Sequence, residues 1–313
     1  MDQPINKGMS IWPNRDPYGE AGSFNLMGFV NNNGINNFDA FGLYNSAGHF
    51  STTYLVAIAA GMSPDQAFQY AYWSQYPDQN PDFSAVHTSL TLKWEVGQYL
   101  HSLSGGDPVM LRQYLECLLK SGKFSVEEQG MLIHALGDAY AHTSIDTAKF
   151  SGSGHGRVPN PNYGQLRSYG PGIGHLFDGH APDYIGNNPS KYGEYVDQLY
   201  EVMQSLNPGG NYDPSMINNL KLQAYLMPPS NLASDLGSTA TQNGFEASMI
   251  GMLPGGYDGF TGQSYDPDDS SQPTLLPVQS GPEAYSWTES GDFRNSLIDK
   301  IKNGVNGWCP PNH

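Results

Sequence analysis

The sequence predicts an all-α fold, a multi-helix bundle with long glycine- and proline-rich loops. Beyond residue 44, apolar residues recur at helical spacing in segment after segment. Several of these segments open with a helix-start signal. The 37 Gly and 23 Pro among 313 residues supply breaks between them, and no sequence repeat at a fixed period appears.

The helical segments can be justified one by one. Ser63 and Asp107 each precede a proline at a helix start, and Ser125 with Glu128 forms a capping box. Gly61 is a stop signal. In chain order the segments read GHFSTTYLVAIAAG, SPDQAFQYAYWSQY, HTSLTLKWEVGQYLHSL, DPVMLRQYLECLLKSG, SVEEQGMLIHALGDAYAH, PSKYGEYVDQLYEVMQSL, DPSMINNLKLQAYL and DFRNSLIDKIKNG. Residues 150–189 and 253–286 are expected to be loops.

Residues 1–43 differ from the rest of the chain. Asn, Gly and aromatic residues dominate RDPYGEAGSFNLMGFVNNNGINNFDAFGL, in which the turn signals DPYG and NNNG separate short hydrophobic runs. This pattern is typical of hairpin-like β structure. We therefore expect two domains, residues 1–43 and residues 44–313.

The same stretch resembles the end of the Rhs repeat-associated core, whose segments run R-D-P-x-G, N-L-Y-x-Y/F-V-x-N-N-P-x-N and D-P-x-G-L. The elements occur here in that order, with Gly34 and Ala40 in place of two prolines. The resemblance implies that residues 1–43 close the β-cocoon of a parent Rhs protein. Residues 44–313 would then be its effector or toxin, secreted or delivered by a specialised secretion system, with an immunity protein as partner.

Charge and cysteine content narrow the function classes. The chain has 30 acidic residues against 14 Lys and Arg, a net charge of −16. Such a surface repels phosphodiester backbones, which argues against a general nucleic-acid binder. Cys117 and Cys309 are too few for a disulfide framework, and Cys117, within LRQYLECLLK, is expected to be a core thiol.

No membrane or export signal is visible in the sequence. The first residues show no basic region followed by an apolar one, so no signal peptide is predicted. The longest apolar run, residues 54–61, is far shorter than the ~20 residues that span a bilayer. We expect no transmembrane segment.

The stretch LIHALGDAYAHTSID places His134, Asp138 and His142 at intervals of four. On an α-helix these positions form one narrow stripe. The two histidines are about 12 Å apart along the axis, too far to share one ion, so the stripe indicates either one metal on two of the groups or several metals bridged by Asp138. Gly137 and the neighbouring alanines indicate that other helices approach closely here.

Three stretches resemble a bacterial family of helical metal-dependent proteins: GHFSTTYLVAIAAGMSPDQAFQYAYWSQYPDQN, LIHALGDAYAHTSID and YGPGIGHLFDGHAPDYI. The shared elements are H-x-x-x-T-Y-x-x-A, G-x-S/T-x-x-x-A, Q-Y-x-D, H-x-x-x-D-x-x-x-H and G-H-x-x-x-G-x-x-P-D, in that order. Their order and ligand types in turn resemble the zinc-dependent phospholipase C and single-strand nuclease superfamily, an all-α fold with a three-zinc cluster. The resemblance covers residues 48–200 and implies a bundle of that type.

The resemblance implies a ligand set in this chain. His49 would be a ligand from an early helix, and Asp78 would lie at the end of the next helix. His134 and Asp138 would join Asp78 on one ion, with Asp138 bridging to another. Two or three zinc ions are expected.

The remaining ligands are less closely specified by the resemblance. His142 and His175 would hold another ion, completed by either Asp178 or Asp183, and the P-D element favours Asp183. His87 is a further candidate for the first ion.

Three other histidines have no ligand role in this interpretation. His101, His155 and His313 stand in contexts typical of the protein surface. We expect them to be exposed.

The expected activity is zinc-dependent hydrolysis of phosphate esters, of the phospholipase C type. Clustered divalent ions lower the pKa of a bound water and neutralise the charge of the transition state. Asp78 is the candidate catalytic carboxylate that orients or deprotonates this water. The negative charge favours phospholipid over nucleic acid as substrate. Two alternatives stay open: a metal-dependent nuclease, and a non-enzymatic helical interaction module with structural metal.

Overall fold

The computed structural model describes residues 47–80, 82–83, 85, 94–145, 150–151, 158–159, 162–170, 185–227, 229–245, 287–307 and 309. All of them belong to the second of the two units into which the chain divides, Met1–Ala40 and Phe41–His313. The β-like segment predicted over residues 1–43 lies outside the described residues. Its fold and the domain boundary after residue 43 stay predictions.

The described residues are mostly helical, which confirms the all-α prediction. A π-helical turn, Ala47–Ser51, leads directly into the first helix, and a 3-10 turn, Ile185–Asn187, precedes the sixth. The helices are α1 (Thr52–Ala59), α2 (Pro64–Gln79), α3 (Trp94–Leu100), α4 (Pro108–Lys120), α5 (Val126–Ala141), α6 (Pro189–Leu206), α7 (Pro214–Leu226), α8 (Pro229–Gln242) and α9 (Trp287–Gly307).

Among the described residues, four short strands follow α5, within or next to a stretch expected to be loop. They are β1 (Thr143–Ile145), β2 (Phe150–Ser151), β3 (Val158–Pro159) and β4 (Leu166–Ser168). β1 pairs antiparallel with β4, and β2 pairs antiparallel with β3. Strands of two or three residues are too short to show the alternation by which a strand is recognised in a sequence.

The predicted helix starts are confirmed. The Ser63 side chain accepts a hydrogen bond from the Gln66 backbone, and Asp107 accepts two from the first turn of α4. Ser125 and Glu128 cap each other reciprocally at the start of α5. Gly61 has a φ of +76°, the left-handed conformation that ends α1.

The core forms where α2 and α5 pack along each other. α5 also contacts α4 and α6, and α1 lies against α2 and α6. α2 approaches α5 closely at Gly130, where an added Cβ would lie 2.3 Å from the Cβ of Trp73. α5 is therefore surrounded on most of its length, and every residue from Glu128 to Ala141 is buried.

Replacing Gly130 with Ala tests this packing. Alanine gains up to about 1 kcal/mol in helix propensity, but the methyl group has no space and overpacking costs about 1–3 kcal/mol. We expect a lower free energy of unfolding, measured by urea denaturation. Gly193→Ala on α6 is the matched control, because its nearest neighbour would be the Lys221 Cδ at 3.7 Å. A Gly130→Ala protein as stable as the Gly193→Ala protein would contradict the packing.

The expectation that Cys117 is a core thiol is wrong. Cys117 on α4 forms a disulfide with Cys309, 192 residues away and just beyond α9. The packing of α9 brings the two cysteines together, and the Tyr114 hydroxyl of α4 donates to the Ile301 carbonyl of α9. Such a long-range contact leaves no trace in local sequence pattern.

Within the residues given above, no helix is both long enough and apolar enough to cross a membrane.

Candidate metal centre

Five side chains from separate parts of the bundle converge beside α5. His49 comes from the π-helical turn before α1, Asp78 from the last turn of α2, and His101 from the residue after α3. His134 and Asp138 lie on successive turns of α5. All five are buried: their side chains are 0 or 1% exposed. Such a concentration of imidazoles and carboxylates in a core requires a specific compensation.

Small residues on α5 make room for this convergence. At Gly137 an added Cβ would lie 3.2 Å from the His49 Cε1 and 3.3 Å from the Tyr195 Cζ. The His49 ring stacks on the His134 ring, with centroids 3.9 Å apart and planes at 27°. The crowding predicted from Gly137 is therefore confirmed.

Backbone carbonyls fix which ring nitrogen carries a proton in two of the histidines, His134 and His101. His134 Nδ1 lies 2.8 Å from the Ser74 carbonyl oxygen, and His101 Nε2 lies 2.8 Å from that of Phe83. A carbonyl oxygen only accepts, so these nitrogens donate. In a neutral imidazole the other nitrogen then carries a lone pair. The lone pairs of His134 Nε2 and His101 Nδ1 both face the cluster.

Burial disfavours the charged form of two of the imidazoles, those of His49 and His134. Desolvation lowers the pKa of His134 to about 3 and also lowers the pKa of His49. For Asp138, burial alone raises the pKa, but His142, His134 and the other surrounding imidazoles outweigh it and hold the pKa well below its usual value. An ionised carboxylate in a buried site needs positive charge or hydrogen-bond donors around it. A bound cation would accept the lone pairs of the neutral imidazoles and supply positive charge to the Asp138 carboxylate.

The first group of converging atoms we call site A: His101 Nδ1, His134 Nε2, Asp78 Oδ1 and Asp138 Oδ2. The two nitrogens are 3.1 Å apart, and each lies 3.2 Å from Asp138 Oδ2. Asp78 Oδ1 lies 3.4 Å from His134 Nε2 and 3.8 Å from His101 Nδ1. Tetrahedral zinc at about 2.0–2.2 Å from each ligand holds ligand atoms roughly 3.3–3.5 Å apart. The spacing of site A fits such an ion.

The second group we call site B: His49 Nε2, Asp78 Oδ2 and Asp138 Oδ1. His49 Nε2 lies 3.2 Å from Asp138 Oδ1 and 3.7 Å from Asp78 Oδ2. Each carboxylate thus turns one oxygen to site A and the other to site B. Carboxylates placed in this way would be able to hold two ions about 3.5–4 Å apart.

The expectation that His101 is exposed is wrong, since its side chain is buried against Asp138 and His134. A backbone reversal places it there: Ser102 has a φ of +54°, and its hydroxyl donates to the Ala135 carbonyl of α5 at 2.6 Å. One signal in the sequence pointed to burial. His101 follows Gly97 by four residues and so continues the buried face of α3.

His142 lies at the end of α5, close to the cluster but differently oriented. Its Nδ1 is 3.0 Å from the His101 carbonyl oxygen and 3.7 Å from Asp138 Oδ2. Its predicted role as a zinc ligand together with His175 stays a prediction. The other candidates His87, His175, Asp178 and Asp183 lie outside the described residues.

Comparisons with known proteins do not extend this assignment. No protein-family model, curated protein or solved structure matches the chain. The candidate centre therefore rests on the burial, tautomers and spacing of its own side chains.

Proposed function

We propose that the chain is a zinc-dependent hydrolase of phosphate esters with at least two ions in its centre. The observation that carries the proposal is the arrangement of Asp78 and Asp138, each of which presents one oxygen to site A and one to site B. When bound, a pair of ions supplies a water of lowered pKa and positive charge for a phosphoryl transition state. A third ion on His142 and His175 belongs to the same proposal.

The residues in and around the cluster would have different roles in such a site. The carbonyls of Ser74 and Phe83 hold His134 and His101 in the tautomers that expose a lone pair. Gln75 donates to Asp78 Oδ2 at 3.3 Å and so helps to orient this carboxylate. Asp78 is proposed both as a bridging ligand and as the carboxylate beside the activated water.

Phospholipid is the proposed substrate class, in keeping with the resemblance to phospholipases C and the net charge of −16. The proposed setting is the effector or toxin of an Rhs protein, delivered with its cocoon and neutralised by an immunity protein. The Cys117–Cys309 disulfide supports action outside a reducing cytosol, because disulfides persist in oxidising compartments.

A second candidate function is a helical interaction module in which metal only stabilises the fold. The near-complete burial of the five ligands favours it, because structural zinc sites are closed whereas catalytic ones keep a position for water.

Hydrolysis assays on the full chain separate these candidates. The zinc-loaded protein, the chelator-stripped protein and the Asp138→Asn variant are each incubated with phosphatidylcholine vesicles and with single-stranded DNA. We expect phosphocholine release by the zinc-loaded protein alone. Nucleotide release instead would select the nuclease alternative. A protein that holds two zinc ions and releases neither product would select the structural module.

A further inference from the structure

A disulfide just beyond the C-terminal end of helix α9 links this helix to the rest of the bundle. The Cys117–Cys309 disulfide joins α4 to the residue two positions after α9, and the Tyr114 hydroxyl donates to the Ile301 carbonyl. The preceding residue, Lys300, pairs with Glu128 at the start of α5 at 2.6 Å. Oxidation of the two thiols therefore fixes α9 against α4 and α5.

The other half of α9 holds the turn that follows α2. Arg294 is only 3% exposed, and its Nη1 donates to the Asp82 carbonyl at 2.7 Å. The ring of Phe293 packs on the ring of Phe83, with centroids 6.4 Å apart. A guanidinium buried to this degree is held by its hydrogen bonds, so Arg294 and the turn constrain each other.

The same turn supports two ligands of site A. It begins two residues after Asp78, and the Phe83 N–H donates to the Asn80 carbonyl at 2.9 Å. The Phe83 carbonyl accepts from His101 Nε2 at 2.8 Å and so sets the tautomer that turns Nδ1 toward the ion. Displacing the turn would release the His101 ring and the end of α2 that carries Asp78.

We infer that the zinc affinity of site A depends on the redox state of the Cys117–Cys309 disulfide, with Arg294 as the positioning residue that connects them. The inference rests on the metal centre of the proposed function. Reduction by a dithiol or phosphine takes up two electrons and two protons, breaks the S–S bond and leaves two thiols. α9 is then held only by non-covalent contacts, and the turn that contains Asn80, Asp82 and Phe83 loses its fixed support.

This dependence would restrict a full metal centre to oxidising compartments. Disulfides form outside the cytosol and are reduced within it. In a reducing compartment the chain would hold the ion of site A weakly. It would reach full affinity after oxidation of the two thiols.

Zinc affinity, measured by competition with a chromogenic chelator, tests the inference on the full chain. The Cys117→Ser/Cys309→Ser protein stands for the reduced state without any reductant present. We expect it to bind one zinc equivalent about 10–100-fold more weakly than the oxidised protein, the range found when outer-sphere support of a ligand is lost. Arg294→Gln, with the disulfide intact, should show a similar loss.

Two comparisons distinguish this link from simple destabilisation. Affinities are measured well below the unfolding temperature of each zinc-free protein, with unchanged far-ultraviolet circular dichroism. Lys302 lies on α9, like Arg294, and Lys302→Gln removes an exposed pair with Glu95 of α3, so this variant should leave the affinity unchanged. Adding Arg294→Gln to the serine pair should cause little further loss, because both changes act through one turn.

Several results would overturn the inference. One is a folded serine-pair protein that binds both zinc equivalents as tightly as the oxidised protein. Another is an Arg294→Gln protein with unchanged zinc affinity. The third is a combined variant whose loss of zinc affinity equals the sum of the losses in the Arg294→Gln protein and the serine-pair protein. The result that would contradict the hydrolase proposal differs from all three of these results. A protein that binds two zinc ions and hydrolyses nothing leaves this comparison of affinities unaffected.

Discussion

Replacing Asp138 with Asn is expected to abolish stable binding at both sites. The amide keeps the size of the side chain but loses its charge, and it offers one oxygen where the carboxylate offers one to each site. We expect zinc affinity to fall by about 100-fold or more, beyond the loss typical of outer-sphere partners. Zinc content of the purified variant, measured by elemental analysis, should approach zero.

Two variants serve as references for Asp138→Asn. Asp197→Asn removes an exposed carboxylate that pairs with Lys221, and it should keep the full zinc content. His87→Ala tests the ligand candidate outside the described residues, and we expect a smaller loss than for Asp138→Asn. Equal loss in the Asp138 and His87 variants would contradict the bridging role of Asp138.

Replacing His101 with Ala is expected to remove one zinc equivalent and leave the other. His101 Nδ1 contributes to site A, whereas site B is formed by His49 and the second oxygens of the two carboxylates. The affinity of site A should fall by about 10–100-fold or more, measured by the same chelator competition. His49→Ala should weaken the opposite site.

The control for His101→Ala is His155→Ala, a residue predicted to lie at the surface. It should bind two equivalents as the unchanged protein does. A His101→Ala protein that keeps both equivalents with unchanged affinity would show that its ring merely packs beside the cluster.

The stripe on α5 could be predicted because helical period converts spacing directly into a face. His134 and Asp138 lie on one side of a single helix, and Gly137 marks the place where His49 approaches. These features are local. The caps at Ser63 and Ser125 were predictable for the same reason, since each depends on residues three positions apart.

The features that could not be predicted depend on contacts between segments that are far apart in the sequence. His101 reaches the cluster through a reversal at Ser102 that α5 itself stabilises. The Cys117–Cys309 pair depends on the position of α9. α8 was not predicted because PSNLASDLGSTATQ is rich in weak helix formers, and packing of Leu232 and Leu236 into the core supports it.

Anomalous diffraction at the zinc edge from crystals of the zinc-loaded chain tests the central claim most directly. Two peaks about 3.5–4 Å apart are expected between Asp78 and Asp138. One should lie about 2.0–2.2 Å from His101 Nδ1 and His134 Nε2, and the other at that distance from His49 Nε2. A single peak among these side chains, or none, would contradict the two-ion centre.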